Sequence, residues 1–319
     1  MVPARGLNRA KRPLIDKELT MRIGKFFTFI TALFAAGVVQ AQDNLQGLET
    51  VGKPVEGLMG FQPAVTPSMH DIIWLDNMLL VIITAISLFV LALMLWVFVR
   101  YNKRANPEPA RFTHNSVIEV AWTIIPIIIL IVIGSFSLPT LFKQLEVPES
   151  DLTIKVTGNQ WYWTYEYVEE EFAFDSYMIG QPATLGNDDQ AYVLNDAVKA
   201  KLAEYGYEES DWLLATDTAV VVPVNAVVRL QITGSDVIHS WTIPAFGVKM
   251  DAVPNRLAET WFKAEREGVY FGQCSELCGK DHTYMPITVK VVSQDAYDAW
   301  LTGAVAEYAS LETMVASAD

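Results

Sequence analysis

The chain has 319 residues, enough for one large domain or two modest ones, and 51% of them are hydrophobic, which excludes an apolar-poor disordered chain. Its 23 Lys+Arg against 37 Asp+Glu give a net charge of −14, the reverse of the basic footprint a nucleic-acid binder carries. The sequence holds only 2 cysteines, too few to staple a chain this long, so the fold rests on a hydrophobic core or on a membrane.

The charge divides the chain. Residues 1–140 carry 12 Lys+Arg against 9 Asp+Glu, for +3, and residues 141–319 carry 11 against 28, for −17. The first part is expected at a membrane and the second in water, as an acidic domain. Near the start, residues 22–41 open with Arg22 and Lys25, continue in a short apolar stretch and end at Val39-Gln40-Ala41, a small-x-small cleavage site. This is the pattern of a secretory signal peptide; for the alternative, a membrane helix, the uncharged run is too short to span comfortably. Cleavage would leave Gln42 at the mature terminus. Residues 1–20 fit no part of the signal and read as an upstream extension, with Met21 the true initiator.

Two long uncharged runs follow. Met78 to Val99 would span about 33 Å at about 1.5 Å per residue, enough for a bilayer core. Val120 to Leu138 is the second, with Pro126 inside it, which a membrane helix tolerates better than a soluble one. A buried soluble helix is the alternative for either run, but two in series argue for a membrane hairpin. Between them Arg100, Lys103, Arg104 and Arg111 are opposed only by Glu108, so the positive-inside rule puts the loop 100–117 in the cytoplasm. Everything after about residue 141 then lies on the other side, where a cleaved signal also puts the N-terminus. The expected organisation is an extension and signal (1–41), a periplasmic N-terminal segment (42–70), a transmembrane hairpin (71–141), a periplasmic domain (142–293) and a C-terminal helix and tail (294–319).

After the hairpin the pattern turns to strands. Leu152–Val156, Ala219–Val222, Val227–Ile232, Thr260–Lys263, Val269–Phe271 and Ile287–Val292 are short and rich in β-branched or aromatic residues, with Gly, Pro and Asn between them. Short strands without long helices between them predict an all-β sandwich or barrel. Residues 172–215 read as an acidic insert poor in strands; within it Asn195 to Gly206 reads as a helix with an Asn cap and a terminal Gly. Gln294 to Tyr308 has apolar residues at helical spacing and is expected to pack on the barrel.

The chemistry concentrates in Cys274-Ser-Glu-Leu-Cys278-Gly-Lys-Asp-His282-Thr-Tyr-Met285, which holds both cysteines and one of the four histidines. A second histidine, His239, lies upstream in Asp236-Val-Ile-His-Ser-Trp241. A disulfide between Cys274 and Cys278 is one reading, permitted outside the cytoplasm, but it gives His282 and Met285 no reason to stand at this spacing. Zinc on two Cys and two His is another, though Met is a poor zinc ligand. Cys278, His282, Met285 and a distant His form the ligand set of a blue-copper site, with a thioether weakly on the axis. A second cysteine four residues away in the same loop can bridge a second copper. Each metal is then capped by one His, with Met285 and the carbonyl of Glu276 in the weak positions.

These residues resemble subunit II of the haem–copper cytochrome c oxidases, of the alpha-proteobacterial type. The resemblance runs from about Gly47 to the C-terminal helix, through Phe112–Ser116, Gln160–Tyr167, Asp236–Trp241 and Gly272–Cys278. It implies a cupredoxin-like Greek-key β-barrel on a two-helix hairpin, carrying the dinuclear Cu(A) centre. His239, Cys274, Cys278, His282 and Met285 match the side-chain copper ligands and Glu276 the carbonyl ligand; the Glu276 carboxylate matches a ligand of a magnesium shared with subunit I. Trp161 matches the residue that takes the electron from docked cytochrome c, against the plain reading of strand aromatics packing on the barrel. Glu166, Asp217 and Asp236 match carboxylates of the docking surface, where ordinary solvated charge is the alternative. Glu119 matches the entrance of a proton path into subunit I, where the plain reading is an acid at the membrane interface. His70 and His114 read as structural. The implied function is electron entry from cytochrome c into a haem–copper oxidase of a bacterial inner membrane, with subunits I and III as partners and haem only in subunit I. A copper-delivery protein is the alternative of another class, and the bridging cysteines weigh against it, because delivery needs a site that gives copper up.

Overall fold

The computed structural model describes residue 45 and residues 47–316 except 188; the expected extension and signal peptide lie outside the described residues. Helix α1 spans Pro67–Arg100 and helix α2 spans Ser116–Leu145. Thr66 starts α1: its Oγ1 accepts from Met69 N at 3.1 Å, and Pro67 sits in the first turn, where a missing N–H costs nothing. Asn115 starts α2 by accepting from Val117 N and Ile118 N at 3.2 and 3.3 Å. The helices meet through the Trp74 and Phe136 rings, 5.3 Å apart, and through Lys143 Nζ and Asp71 Oδ2 at 2.7 Å. Both are long and apolar enough to cross a membrane, and they expose apolar side chains such as Leu88, Phe89, Trp96 and Ile131, as a lipid-facing surface does.

Both helices outrun the uncharged runs at 78–99 and 120–138, because hydropathy marks only the apolar part of a helix and the caps decide where it ends. The extra turns root the hairpin in the β domain. Met69 is buried, Thr66 Oγ1 donates to Phe246 O at 2.7 Å, and Trp261 Nε1 donates to Lys143 O at 3.3 Å.

The strands in chain order are β1 (Thr50–Gly52), β2 (Leu152–Asn159), β3 (Tyr162–Tyr167), β4 (Phe172–Ser176), β5 (Val220–Pro223), β6 (Val227–Gly234), β7 (His239–Ile243), β8 (Val248–Ala252), β9 (Ala258–Lys263), β10 (Gly268–Gln273) and β11 (Pro286–Val292). They form a five-stranded sheet ordered β4-β3-β2-β6-β9, a four-stranded sheet ordered β1-β10-β11-β5, and the ribbon β7-β8. One core fills the space between the sheets, with Ile154, Val156, Leu230, Trp241, Tyr270, Ile287 and Val289 buried in it. Period-two alternation sets β3: Trp163, Tyr165 and Tyr167 point in, while Tyr162, Thr164 and Glu166 lie on the outer side. Tyr167 Oη donates to Val221 O at 2.7 Å and accepts from Val221 N at 2.9 Å, tying the two sheets together.

The insert at 172–215 is not poor in strands throughout. It opens with β4, whose Phe172 and Phe174 turn inward; the acids Glu169, Glu170 and Glu171 before it and Asp175 within it hide that alternation in the sequence. Its helix α3 spans Asp196–Glu204, with Asn195 Oδ1 accepting from Val198 N at 2.9 Å and Gly206 at φ 78° just beyond. Val198, Leu202 and Tyr207 pack on Val269 and Phe271 of β10 in a small second core. Helix α4 spans Gln294–Ala316 and buries Tyr297, Trp300 and Ala304 against the barrel, with Trp300 on the rings of Tyr167 and Phe172.

Candidate metal centre

The antiparallel pair β10–β11 is joined by residues 274–285, and this connection carries every cysteine. Its base is closed by Cys274 N donating to Met285 O at 3.2 Å, and its side is pinned to β7 by Ser275 N donating to Ser240 O at 2.9 Å. That tie brings His239, the first residue of β7, against the loop although 35 residues separate it from Cys274. Gly158 makes room on the other side: a Cβ there would lie 2.8 Å from His239 Cδ2, so any larger residue displaces the imidazole. Gly272 is needed more strongly still, since its Cβ would fall 1.7 Å from Thr242 O, inside the approach of β10 to β7.

The donor atoms converge. Cys274 Sγ and Cys278 Sγ are unbonded and 3.8 Å apart. Cys274 Sγ lies 4.0 Å from His239 Nδ1 and 3.3 Å from Glu276 O. Cys278 Sγ lies 3.5 Å from His282 Nδ1 and 3.4 Å from Met285 Sδ. Two ligands that each bond a metal at 2.0–2.3 Å stand roughly 3.3–3.8 Å apart at tetrahedral angles; four of these spacings fall in that range and the His239 contact, at 4.0 Å, lies just beyond it. His239, Cys274, Cys278 and Met285 are all buried. Each sulfur has its own imidazole, as two metal positions require.

Burial works against both thiolates. At Cys274 the hydrogen bonds from His239 and from the backbone outweigh burial, and the thiol is held below its ordinary value. Cys278 is pushed up to about 12, first by burial and then by the Cys274 charge beside it. A cation bound between them removes both obstacles, because it replaces the protons. Burial lowers the His239 pKa, but Cys274 and Asp236 raise it more, leaving it above its usual value.

The other site residues predicted from the sequence fall into distinct environments. Asp236 belongs to the centre: Oδ1 is 2.9 Å from His239 Nε2 and Oδ2 accepts from Gln160 N at 2.9 Å, the arrangement that orients a metal-binding imidazole. Burial pushes its carboxyl up, but these bonds hold it lower than usual. Trp161 also touches the centre, with Nε1 donating to Cys278 O at 3.2 Å. Glu276 is exposed while its carbonyl faces Cys274. Glu166 sits on the outer side of β3 and pairs with Lys155 at 2.8 Å. Asp217 is half-buried and accepts from Tyr177 N at 2.9 Å and Thr218 N at 2.6 Å. Glu119 accepts from Asn115 N at 3.1 Å at the start of α2, away from the metal loop. His70 pairs with Glu265 at 3.2 Å.

Three supporting residues were not read from the sequence. Gln160 Nε2 donates to Cys278 O at 3.0 Å. Gln181 Nε2 donates to Trp161 O at 2.8 Å and to Tyr284 O at 3.3 Å, so the insert braces the site. Trp163 Nε1 donates to Met285 O at 3.4 Å, and its ring meets His239 edge-on at 5.9 Å. No spacing rule marks them, because each acts across more than 75 residues or through a backbone carbonyl.

Asp217 gives a pH-dependent expectation. Burial raises its pKa from 3.8 to about 6, against the two backbone N–H bonds. A raised acid keeps its proton in the folded chain after the unfolded chain has lost it, so stability falls as pH climbs from about 4 to 6 and stays lower above that. Asp217→Asn keeps the accepting oxygen and removes the charge. It should flatten that fall and raise Tm at pH 7.5 by about 3 °C, the shift roughly 1 kcal/mol gives in a domain this size. Thermal melts at pH 4.5 and 7.5 check it; equal shifts at both would contradict the assignment.

Soft sulfur donors beside imidazole, set in a β domain on a membrane hairpin, define a membrane-anchored copper protein of cupredoxin-like build. The comparisons with known proteins name the family. Residues 54–140 match the family model of the cytochrome c oxidase subunit II transmembrane domain, and residues 152–292 match that of its periplasmic domain. The chain is 59% identical over 274 residues to cytochrome c oxidase subunit 2 of Cereibacter sphaeroides, covering 86% of this chain and 88% of that one. It is 44% identical over 250 residues to a probable cytochrome c oxidase subunit 2 of Rickettsia bellii (strain RML369-C), covering 78% and 85%. Among solved structures it matches the periplasmic domain of subunit II of the Bradyrhizobium japonicum cytochrome oxidase at 46% identity and a TM-score of 0.40, covering 51% of this chain and 99% of that one. The chain belongs to the cytochrome c oxidase subunit II family.

Proposed function

We propose that this chain is the electron-entry subunit of a proton-pumping cytochrome c oxidase, with a dinuclear copper centre on the periplasmic side of a bacterial inner membrane. The observation that carries the reading is two unbonded cysteine sulfurs 3.8 Å apart, each with its own imidazole. His239, Cys274, Cys278, His282 and Met285 hold the pair by side chain, and Glu276 by its carbonyl. Copper held there supplies one-electron redox chemistry with little change of geometry. The chain's own residues do the rest. Asp236 and Trp163 fix the His239 ring, Gln160 and Trp161 fix the Cys278 carbonyl, and the burial of Cys274, Cys278 and Met285 beneath an exposed loop keeps water from the sulfurs.

Reduced cytochrome c docks over Trp161, whose indole N–H reaches the Cys278 carbonyl and so links the surface to a ligand. The electron then passes to haem in subunit I, where oxygen is reduced. The exposed Glu276 carboxylate is free to bind a magnesium shared with subunit I, and subunit III completes the assembly. Glu119, at the cytoplasmic start of α2, stands at the entrance of a proton path. The division into a 42–70 segment, a 71–141 hairpin, a 142–293 copper domain and a 294–319 C-terminal helix and tail belongs to the same reading, the latter two lying after the hairpin on the periplasmic side.

The copper-loaded chain tests this directly. It should take up two coppers and, oxidised, show one unpaired electron shared by two equivalent nuclei in its EPR spectrum. A single-copper spectrum at full loading would refute the pair. Docking has its own test. Asp236 is kept out of the variant because it orients His239; amides at Glu166 and Asp217 should raise the apparent KM for cytochrome c, and turnover should then fall less steeply with salt, since charges beyond about 8–10 Å are screened. Equal salt slopes in mutant and wild type would move the docking site elsewhere.

A further inference from the structure

Lys280 stands on the crest of the metal loop and leans over Trp161. Its Nζ is 5.1 Å from the centre of the indole ring and 3.0 Å from Asp281 Oδ2. The lysine side chain is 76% exposed and that of Asp281 13% exposed, so the acid is the fixed partner and the lysine the movable one. Asp281 is itself held by Tyr192 Oη at 3.4 Å, and the Tyr192 ring lies 4.4 Å from that of Tyr284. The insert thus builds the seat from which Lys280 reaches Trp161. Gly279 permits the close approach, because a Cβ there would lie 2.9 Å from Trp161 Cζ2. An exposed ion pair and an exposed cation–π contact are each weak, so a docking partner can push the ammonium aside, but not with a cation of its own.

This places a positive charge over the entry ring of a domain that carries −17 over residues 141–319. We propose that Lys280 is a specificity-determining residue of the docking face. It rejects partners that bring a cation onto Trp161 and admits those whose basic groups ring an uncharged centre, such as a basic cytochrome presenting its haem edge. Acids around the site attract such a ring of charge, and discrimination between partners needs a repulsive element as well. The inference rests on the reading of Trp161 as the entry point.

The test uses the assembled oxidase with Lys280→Met, Lys280→Glu and Lys280→Arg. Copper reduction is followed at low salt with hexaammineruthenium(II), which gives up one electron and leaves as ruthenium(III), and with basic cytochrome c. The ratio of the two rates should rise about threefold in Lys280→Met and about tenfold in Lys280→Glu, return to the wild-type value in Lys280→Arg, and converge as salt screens the charge. On the metal-free full chain, Lys280→Glu should tighten binding of decalysine more than binding of cytochrome c. An unchanged ratio with unchanged decalysine binding overturns the role of Lys280. Trp161→Phe separates the two readings. If it leaves ruthenium reduction at the wild-type rate, entry through Trp161 fails; if it slows reduction while Lys280→Glu leaves the ratio unmoved, only the Lys280 inference fails.

Discussion

Cys278→Ser will abolish the shared-electron spectrum of the copper pair and cut cytochrome c-driven turnover by more than about 100-fold. The magnitude follows from position: losing a group that merely orients a ligand costs 10–100-fold, and Cys278 is nearer than that. Its sulfur lies 3.8, 3.5 and 3.4 Å from Cys274 Sγ, His282 Nδ1 and Met285 Sδ, so one change removes the shared neighbour of three donors. Serine fits the space, but its alcohol stays protonated where a thiol yields to metal, and oxygen is a harder donor than copper prefers. The chain should then bind one copper or none, with a four-line EPR spectrum where copper remains. Cys274→Ser should do the same, because the two sulfurs stand in equivalent places between the imidazoles. The fold should survive in both, since serine nearly fills the cysteine's volume in the core cluster that both sulfurs join. Full turnover with an unchanged spectrum in either variant would show that the cysteines do not bridge. Thiol titration of the metal-free chain addresses the disulfide alternative. Two free thiols are expected, matching the unbonded pair, and none would restore the disulfide.

The second large effect is at Trp161. Trp161→Phe should slow copper reduction by cytochrome c by about 100-fold or more while moving the copper spectrum little. The ring is half-buried, with Lys280 Nζ 5.1 Å from its centre, and its indole N–H is the link to the Cys278 carbonyl at 3.2 Å. Phenylalanine keeps the packing and removes that link. The spectrum should hold because Gln160 Nε2 still donates to the same carbonyl at 3.0 Å, so Cys278 keeps its position. Stopped-flow mixing with reduced cytochrome c separates the two roles. A reduction rate within twofold of wild type would return Trp161 to packing alone. A lost spectrum would make it a support of the metal loop instead.

The strands legible from sequence, β2, β5, β6, β9, β10 and β11, each gather at least three β-branched or aromatic residues in a short run, the local signal of a strand. β4 is flanked by Glu169, Glu170 and Glu171 and contains Asp175, so its inward Phe172 and Phe174 are diluted. β7 and β8 are a ribbon whose residues pack on β10, β2 and β6, and their burial comes from neighbours distant in the chain. The helix at 196–204 was legible because Asn195 and Gly206 act locally, as caps do. Its role was not, because Val198 and Leu202 gain meaning only against Val269 and Phe271.

The hairpin, the strand-rich acidic domain and the donor set of the metal loop are all written in the amino-acid order. Each of these depends on residue types at short spacing: an unbroken apolar run, period-two alternation, or Cys, His and Met within 12 residues of one another. Which charges are engaged by neighbours emerges only on folding. Asp236 reads in sequence as a surface acid, and the fold spends it on His239. Glu166 is matched by Lys155 across a strand pair, and Asp217 is drawn inward by two backbone N–H groups. Only the fold sets Lys280 on Trp161, 119 residues earlier in the chain. The reason is physical. A ligand's affinity for a metal lies in its own atoms, but the work a charge can do is fixed by its distance to other charges and by the water left around it, and both are properties of the folded chain.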